Sequence, residues 1–246
     1  AAQQEDALAE IERIAGSTRS PLVIWGRDFE AFMQNGRMVF QSESRVLDLP
    51  KPALIGRHQI VNAGTAVAAA LALGPALAPG ERAIERGLLT AQWPARMAQL
   101  SDGPLVDVAG PNAEIWLDGG HNPAAGEVLA ETLADLDERS PKPVVLVVGM
   151  MGQKDAAGFL TPFRGIVSAL VAVPIAGAHE APHPPGPLAA LARALSIPAT
   201  TAAGVPEAIR SIAGEANGPV RIVICGSLYL AGSVLAYQQG VTAQSN

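Results

Sequence analysis

Asp118, His121 and Asn122 are the residues of this chain whose types and spacing could do chemistry together. They stand in Leu117-Asp-Gly-Gly-His-Asn-Pro123, after the short run Glu114-Ile-Trp-Leu117. A largely apolar run that stops at Asp118 reads as the end of a buried strand. Gly119 and Gly120 permit a tight turn and close approach of backbone to a ligand. Asn122 followed by Pro123 reads as a helix cap and a first helical residue. Val128, Leu129, Thr132, Leu133 and Leu136 then recur at helical spacing, which predicts a buried helix face. The unit is strand, glycine turn, helix. It places an acid, an imidazole and an amide at the C-terminal edge of a sheet, where open α/β sheets bind ligands. The helix start beside them favours an anion, and its amides suit phosphate. Capping alone also accounts for Asn122. His121 has no packing task in a glycine turn.

Two further strand ends carry polar residues. Met150-Met-Gly-Gln-Lys-Asp155 follows Val144-Val-Leu-Val-Val148, a continuous apolar run expected of a strand covered on both faces. Lys154 is a candidate there, and Asp155 reads also as a helix cap. Gly226-Ser227 follows the apolar stretch that ends at Cys225. Ser227 offers a hydroxyl and helix-start amides to a carboxylate, or simply a cap. Arg96, in Trp93-Pro-Ala-Arg-Met97, has the planar donor fork that suits phosphate, and equally suits a salt bridge between domains. His179, Glu180 and His183 lie in a proline-rich loop. His-x₃-His is a metal spacing on helices, and this loop is not one, so both histidines read as surface residues.

From 99 to 246 strands and helices alternate, the mark of βαβ units and a parallel sheet. Strands are expected at 105–108, 114–118, 143–149, 168–173 and 220–225. Helices are expected at 123–137, 155–164, 186–195, 205–214 and from about 229, with loops at 175–187 and 196–204. The fold class is α/β: a Rossmann-like, mostly parallel sheet with flanking helices. Upstream the pattern differs. A helix over 3–15 carries Leu8, Ile11 and Ile14 on one face. Residues 22–25 read as a strand, Asn35-Gly36 as a hairpin turn, and 46–54 as an extended segment. Helices are expected at 58–73, closed by Gly74, Pro75, Pro79 and Gly80, and at 80–91. Asn62 reads from its type alone as an exposed polar residue on the first of these. Trp93-Pro94 ends the second helix, which puts a domain junction between Gln92 and Arg96 and gives domains 1–92 and 93–246.

The 246 residues suffice for one large domain or two smaller ones. Apolar content of 49% and charged content of 16% describe a globular chain, not a disordered one. A net charge of −6 argues against a protein that neutralises nucleic-acid phosphates by bulk charge. The single cysteine, Cys225, excludes an internal disulfide framework and fits a reducing compartment. The first residues lack the basic and apolar regions of a signal peptide, and no apolar run reaches membrane-spanning length.

Leu117-Asp-Gly-Gly-His-Asn-Pro123 resembles the LDGAHNP signature of folylpolyglutamate synthase and dihydrofolate synthase, members of the muramyl-ligase-like superfamily. Gly56-Arg-His-Gln-Ile-Val-Asn-Ala63, Trp93-Pro-Ala-Arg-Met97, Lys154-Asp155 and Cys225-Gly-Ser-Leu-Tyr229 resemble further signatures of that family, in its order and approximate spacing. The resemblance implies an ATP-dependent acid–amino-acid ligase that joins L-glutamate to dihydropteroate or folylpolyglutamate through an acyl phosphate. It implies that Asn62 contacts adenine; Gln59 and His58 are weaker candidates for ATP beside it. It implies that Arg96, Asp118 and His121 bind ATP and serve catalysis, and that Ser227 and Lys154 bind glutamate. The family often has Asp before that lysine, where this chain has Gln153. ATP and Mg²⁺ are the implied cofactors, the metal's ligands lying mostly outside these residues. The implied partners are small molecules (ATP, L-glutamate, pteroate or folate), not nucleic acid or membrane, for a monomer in the cytoplasm. The sequence contains no G-x-x-x-x-G-K-[ST] phosphate loop, which in that family precedes everything seen here. Residues 1–92 are therefore expected to be the end of a central ATPase domain and 93–246 a C-terminal ligase domain, and the 246-residue chain alone is expected to be inactive. A non-catalytic module for a nucleotide or acidic ligand, and a muramyl-peptide ligase relative, remain the alternatives.

Overall fold

The computed structural model describes residues 3–74, 76–177 and 180–241; Pro75 and His179, both read above, lie outside them. The chain forms two compact units, divided between Gln92 and Trp93. No described helix is long and apolar enough to cross a membrane.

The first unit opens with α1 (Glu5–Thr18), whose first turn carries Glu5 and Asp6 where the helix dipole favours acids. Its apolar stripe forms as expected, yet Ile11 and Ile14 are exposed and only Ala15 is buried. Residues 22–25 do not form the expected strand: Trp25 alone makes an isolated bridge, to Phe29. The Asp28 carboxylate takes the Ile24 amide at 2.7 Å, a local bond that competes with strand pairing. Strands β1 (Phe29–Gln34), β2 (Arg37–Ser42) and β3 (Arg45–Leu49) then pair antiparallel in sequence order. Asn35 and Gly36 both take positive φ, the turn whose twist matches the flanking strands. Pro50, which has no amide hydrogen, follows β3 directly. Phe29, Ala31, Met38, Phe40, Leu47 and Leu49 bury one face against α2 (His58–Ala72) and α3 (Glu81–Thr90), with Val67, Ile84 and Leu88.

The second unit begins with β4 (Ala98–Leu100), α4 (Pro104–Ala109), β5 (Ala113–Leu117), α5 (Pro123–Arg139) and β6 (Val144–Val148). It continues through α6 (Ala156–Leu160), β7 (Ala169–Ala172), α7 (Pro185–Ala194), β8 (Ala199–Thr201), α8 (Val205–Glu215), β9 (Val220–Cys225) and α9 (Leu228–Gln238). The sheet order is β4-β5-β9-β6-β7-β8. All neighbours run parallel except β4, which is antiparallel to β5. Ile115, Leu117, Val147, Ile222 and Ile224 pack on one side with Ile209, Leu230 and Val234 from α8 and α9. The alternate residues Leu146, Val148 and Val223 are also fully buried. Helices α5, α6 and α7 pack side by side as a further layer.

Three expectations are corrected here. Residues 105–108 are helical, not a strand, although Leu-Val-Asp-Val looks β-prone. Gly103, at φ 95, turns the chain, Pro104 starts the helix and Gly110 ends it, and Leu105 and Ala109 fall four apart on its buried face. The loop expected over 196–204 contains β8, and β4 was not expected at all; both are three-residue strands at the sheet's two edges. The helix expected over 155–164 ends at Leu160 and tightens into a 3₁₀ turn over Thr161–Phe163.

Candidate functional site

The central strands β5, β9 and β6 end level, with Leu117 paired to Ile224 and Val148 to Cys225. The loops that follow are bonded to one another. Asp118 N–H donates to Ile224 O at 2.9 Å, and Gly226 N–H donates to Gly120 O at 2.9 Å. Gly226 has φ 100, and a Cβ there would lie 2.7 Å from Gly149 O. The three turns thus touch backbone to backbone, with no room for a side chain at Gly226. They form one platform at the C-terminal edge of the sheet.

Asp118 binds this platform to a distant segment. Its Oδ1 accepts from Gly120 N–H at 2.7 Å, and its Oδ2 accepts from Met97 N–H at 2.9 Å. Gly119 N–H donates to Ala95 O at 2.9 Å. The chain is therefore stitched to the turn on both sides of Arg96. Ala95 and Met97 are buried and have φ of 56° and 43°, left-handed values that cost roughly 1–2 kcal/mol each. Such strain persists only where the surroundings over-determine it. Arg96 is exposed, and among the described residues its guanidinium has no partner.

The His121 ring is oriented by its own turn. Nδ1 lies 2.8 Å from Gly119 O, and since a carbonyl only accepts, Nδ1 carries the hydrogen. Nε2 is left to meet a ligand, as a lone pair when the ring is neutral and as a donor when it is charged. Asn122 caps α5, its Oδ1 accepting from Ala125 N–H at 2.9 Å. Pro123 has no N–H, so this helix start offers an anion little beyond the Ala124 amide. The expected supply of open amides is thus mostly consumed by the cap, and anion recognition passes to side chains. Ser227 behaves likewise. It is 2% exposed and its Oγ accepts from Tyr229 N–H at 3.1 Å as the cap of α9.

The turn after β6 contributes Lys154, half-buried, with no partner for its ammonium among the described residues. Asp155 caps α6 through Gly158 N–H at 2.9 Å. The Gln153 amide donates to Glu180. His183 is not the surface histidine expected. It is half-buried, its N–H donates to Met150 O at 2.8 Å and its Nε2 lies 3.3 Å from Lys154 O. A bridge between Met151 and Pro182 explains this, since it ties the proline-rich loop to the turn. Among the described residues no three His, Cys, Asp or Glu side chains gather as a metal set. Cys225 is buried, and burial first, then the nearby Asp118 charge, push its thiol well above the ordinary range. Such a thiol is inert. Gln59 and Asn62 belong to the first unit. Asn62 is exposed and its Nδ2 donates to Oε1 of the buried Gln59 at 3.1 Å. Unanticipated from the residues is that Glu114 is the acid joining two cations, Arg221 and Lys142, at the opposite end of the same strands.

An open, mostly parallel α/β sheet, with glycine turns interlocked at its C-terminal edge, defines a Rossmann-like domain. Residues 105–228, half of the chain, match the family described as Mur ligase, glutamate ligase domain. The chain belongs to that family. It is 36% identical over 174 residues to a probable bifunctional folylpolyglutamate synthase/dihydropteroate synthase of Halobacterium salinarum, a match covering 65% of this chain and 19% of that protein. It is 34% identical over 122 residues to the dihydrofolate synthase/folylpolyglutamate synthase of Escherichia coli, covering 49% of this chain and 25% of that one. The solved bifunctional folylpolyglutamate synthase/dihydrofolate synthase of Yersinia pestis, complexed with AMPPNP and Mn ion, superposes with a TM-score of 0.74 at 27% identity. That superposition covers 93% of this chain and 50% of the other. The chain thus spans a quarter or less of these curated relatives and half of the solved one.

Proposed function

We propose that this chain is the C-terminal portion of an ATP-dependent ligase that joins L-glutamate to dihydropteroate, to folylpolyglutamate, or to both. The γ-phosphate of ATP passes to a substrate carboxylate and ADP forms. The amine of glutamate then attacks the acyl carbon, the amide bond forms and phosphate leaves. On this reading residues 93–246 are the glutamate-ligase domain, and residues 1–92 the end of the ATPase domain. The names of the relatives support the reaction class, and the Yersinia complex supports a nucleotide and a divalent cation.

The observation that carries the reading is the Asp118–Pro123 turn with Arg96 stitched beside it. Phosphoryl transfer needs alignment and charge screening more than covalent help. Arg96 presents a donor fork to phosphate oxygens, and His121 Nε2 adds a donor when protonated. Lys154 meets a glutamate carboxylate, with Ser227 beside it, and Asn62 with Gln59 meets adenine. Mg²⁺ as the cation, a monomer and a cytoplasmic location belong to the same proposal. No step here runs through a metal ion held by this chain.

The test is glutamate-dependent ADP release by this chain joined to a phosphate-loop-bearing ATPase half, with dihydropteroate against a tetrahydrofolate. Turnover is expected there and not from the 246 residues alone, which contain no loop to cradle the β- and γ-phosphates. In the active form, His121→Ala is expected to lower turnover about 30- to 1000-fold, roughly 2–4 kcal/mol, without lowering the melting temperature. Asn122→Ala is the control: a lost cap costs about 1 kcal/mol of stability, with a smaller rate effect. Full turnover in a folded His121→Ala protein removes the histidine from the mechanism.

A further inference from the structure

We infer that His183 is a positioning residue that acts through Lys154, fixing the turn that carries this lysine at the sheet edge. The inference rests on the proposed role of Lys154 in holding a glutamate carboxylate. Two segments far apart in sequence are laced antiparallel here, residue against residue. The Gln153 side-chain amide donates to Glu180. Gly152 N–H donates to Ala181 O at 3.0 Å, and a Cβ on Gly152 would lie 2.7 Å from that oxygen. Met151 forms a bridge with Pro182. His183 N–H donates to Met150 O at 2.8 Å. The His183 ring then reaches the other end of the turn, where Nε2 lies 3.3 Å from Lys154 O. A carbonyl only accepts, so Nε2 carries the hydrogen. One residue thus bonds both Met150 and Lys154, the first and last residues of the laced turn. Inside the turn, Lys154 N–H donates to Met151 O at 3.0 Å. Pro182, Pro184 and Pro185 have φ fixed by their rings, so the partner loop loses less entropy on pairing. The Lys154 ammonium has no partner among the described residues, so the backbone that carries it sets its place.

Glutamate kinetics in the form joined to the ATPase half separate positioning from a merely structural role. His183→Leu keeps the backbone bond to Met150 and removes the ring's bond to Lys154. It is expected to raise KM for glutamate about three- to fivefold, less than loss of the ammonium itself, with KM for ATP unmoved. His183→Gln, whose side-chain N–H₂ can stand where Nε2 stands, is expected to bring KM back to within about twofold of wild type. A Gln variant as poor as the Leu variant, or a Leu variant with the wild-type KM, overturns the inference. So do ATP and glutamate constants that rise together, which mark general loosening. If His183 acts through Lys154, the double variant His183→Leu, Lys154→Met has the glutamate KM of Lys154→Met alone. Losses that multiply show His183 meeting glutamate itself and overturn the inference. Hydrogen exchange in the full chain reads the turn without any turnover. The Gly152 and Lys154 amides are expected to exchange slowly in wild type and in His183→Gln, and about tenfold faster in His183→Leu. Equal exchange in wild type and His183→Leu overturns the inference. Should the joined wild-type protein show no glutamate-dependent turnover, the ligase reading fails, while exchange at Gly152 and Lys154 still decides whether His183 fixes the turn.

Discussion

At the N-terminal ends of β5, β9 and β6, Glu114 takes hydrogen bonds from both Arg221 and Lys142. At the C-terminal ends of the same strands, Arg96 and Lys154 have no partner among the described residues. Burial explains the difference. Arg221 is 1% exposed, and a charge taken out of water must be paired. Its Nη2 also donates to Ser140 O at 3.2 Å, at the C-terminus of α5, where the helix dipole favours a cation. Burial pushes the Glu114 carboxyl up, but the bonds from Lys142 and Arg221 outweigh it and hold the group below the usual carboxylate range. One end of the sheet uses charge to join strands. The other leaves two cations without a partner among the described residues.

Glu114→Ala is the strongest way to break this contrast. It leaves Arg221 buried without its carboxylate and is expected to cost roughly 3–5 kcal/mol in denaturant unfolding. A loss under about 1 kcal/mol would mean that Arg221 finds other partners and that the pairing is incidental. The same group sets a pH dependence. Its folded pKa is depressed, so its contribution is complete above the ordinary value of 4.5 and fades as pH falls below that. Melting temperature followed from neutral into acid should drop less in Glu114→Ala than in wild type.

Gly226→Ala attacks the other end and should cost less, roughly 2–3 kcal/mol, from strain at φ 100 and a Cβ 2.7 Å from Gly149 O. Gly36, which has φ 79 but open space around its Cβ position, marks the difference within the chain. Its glycine serves conformation alone, whereas Gly226 also serves closeness of two backbones. A change under about 0.5 kcal/mol for Gly226→Ala, by the same denaturant measurement, would show that the turns separate without cost.

Much of this was legible in the residues, and the gaps have physical causes. The apolar run Val144–Val148 and the strand–turn–helix at Asp118 read correctly because each signal is local. The helix at Pro104–Ala109 was misread because β-branched apolar residues outweighed the glycine and proline that bracket it. Strands of three residues, such as β4 and β8, are too short to show a period. Asp118 was visible as a candidate, but its bond to Met97 spans 21 residues and leaves no pattern in sequence. Arg221 did carry a signal: one cation inside Val220-Arg-Ile-Val-Ile-Cys225 needs a buried partner, though sequence could not say which acid supplies it.

Lys154→Met gives the smallest effect on stability and sharpens the contrast most. Methionine keeps the apolar stem and removes only the ammonium. An ammonium without a partner contributes no pairing energy to lose, so denaturant unfolding should shift by no more than about 0.5 kcal/mol. If unfolding shifts by more than about 1 kcal/mol, Lys154 is bonded in solution and the two ends of the sheet do not differ as described. In the active form the same change should raise KM for glutamate about tenfold and leave kcat nearly unchanged, as loss of a charged contact equal in ground and transition states requires. A fall in kcat with KM unchanged would instead place the ammonium at the reacting phosphate. The paired cation at one edge would then be structural, and the unpaired one at the other catalytic rather than substrate-holding.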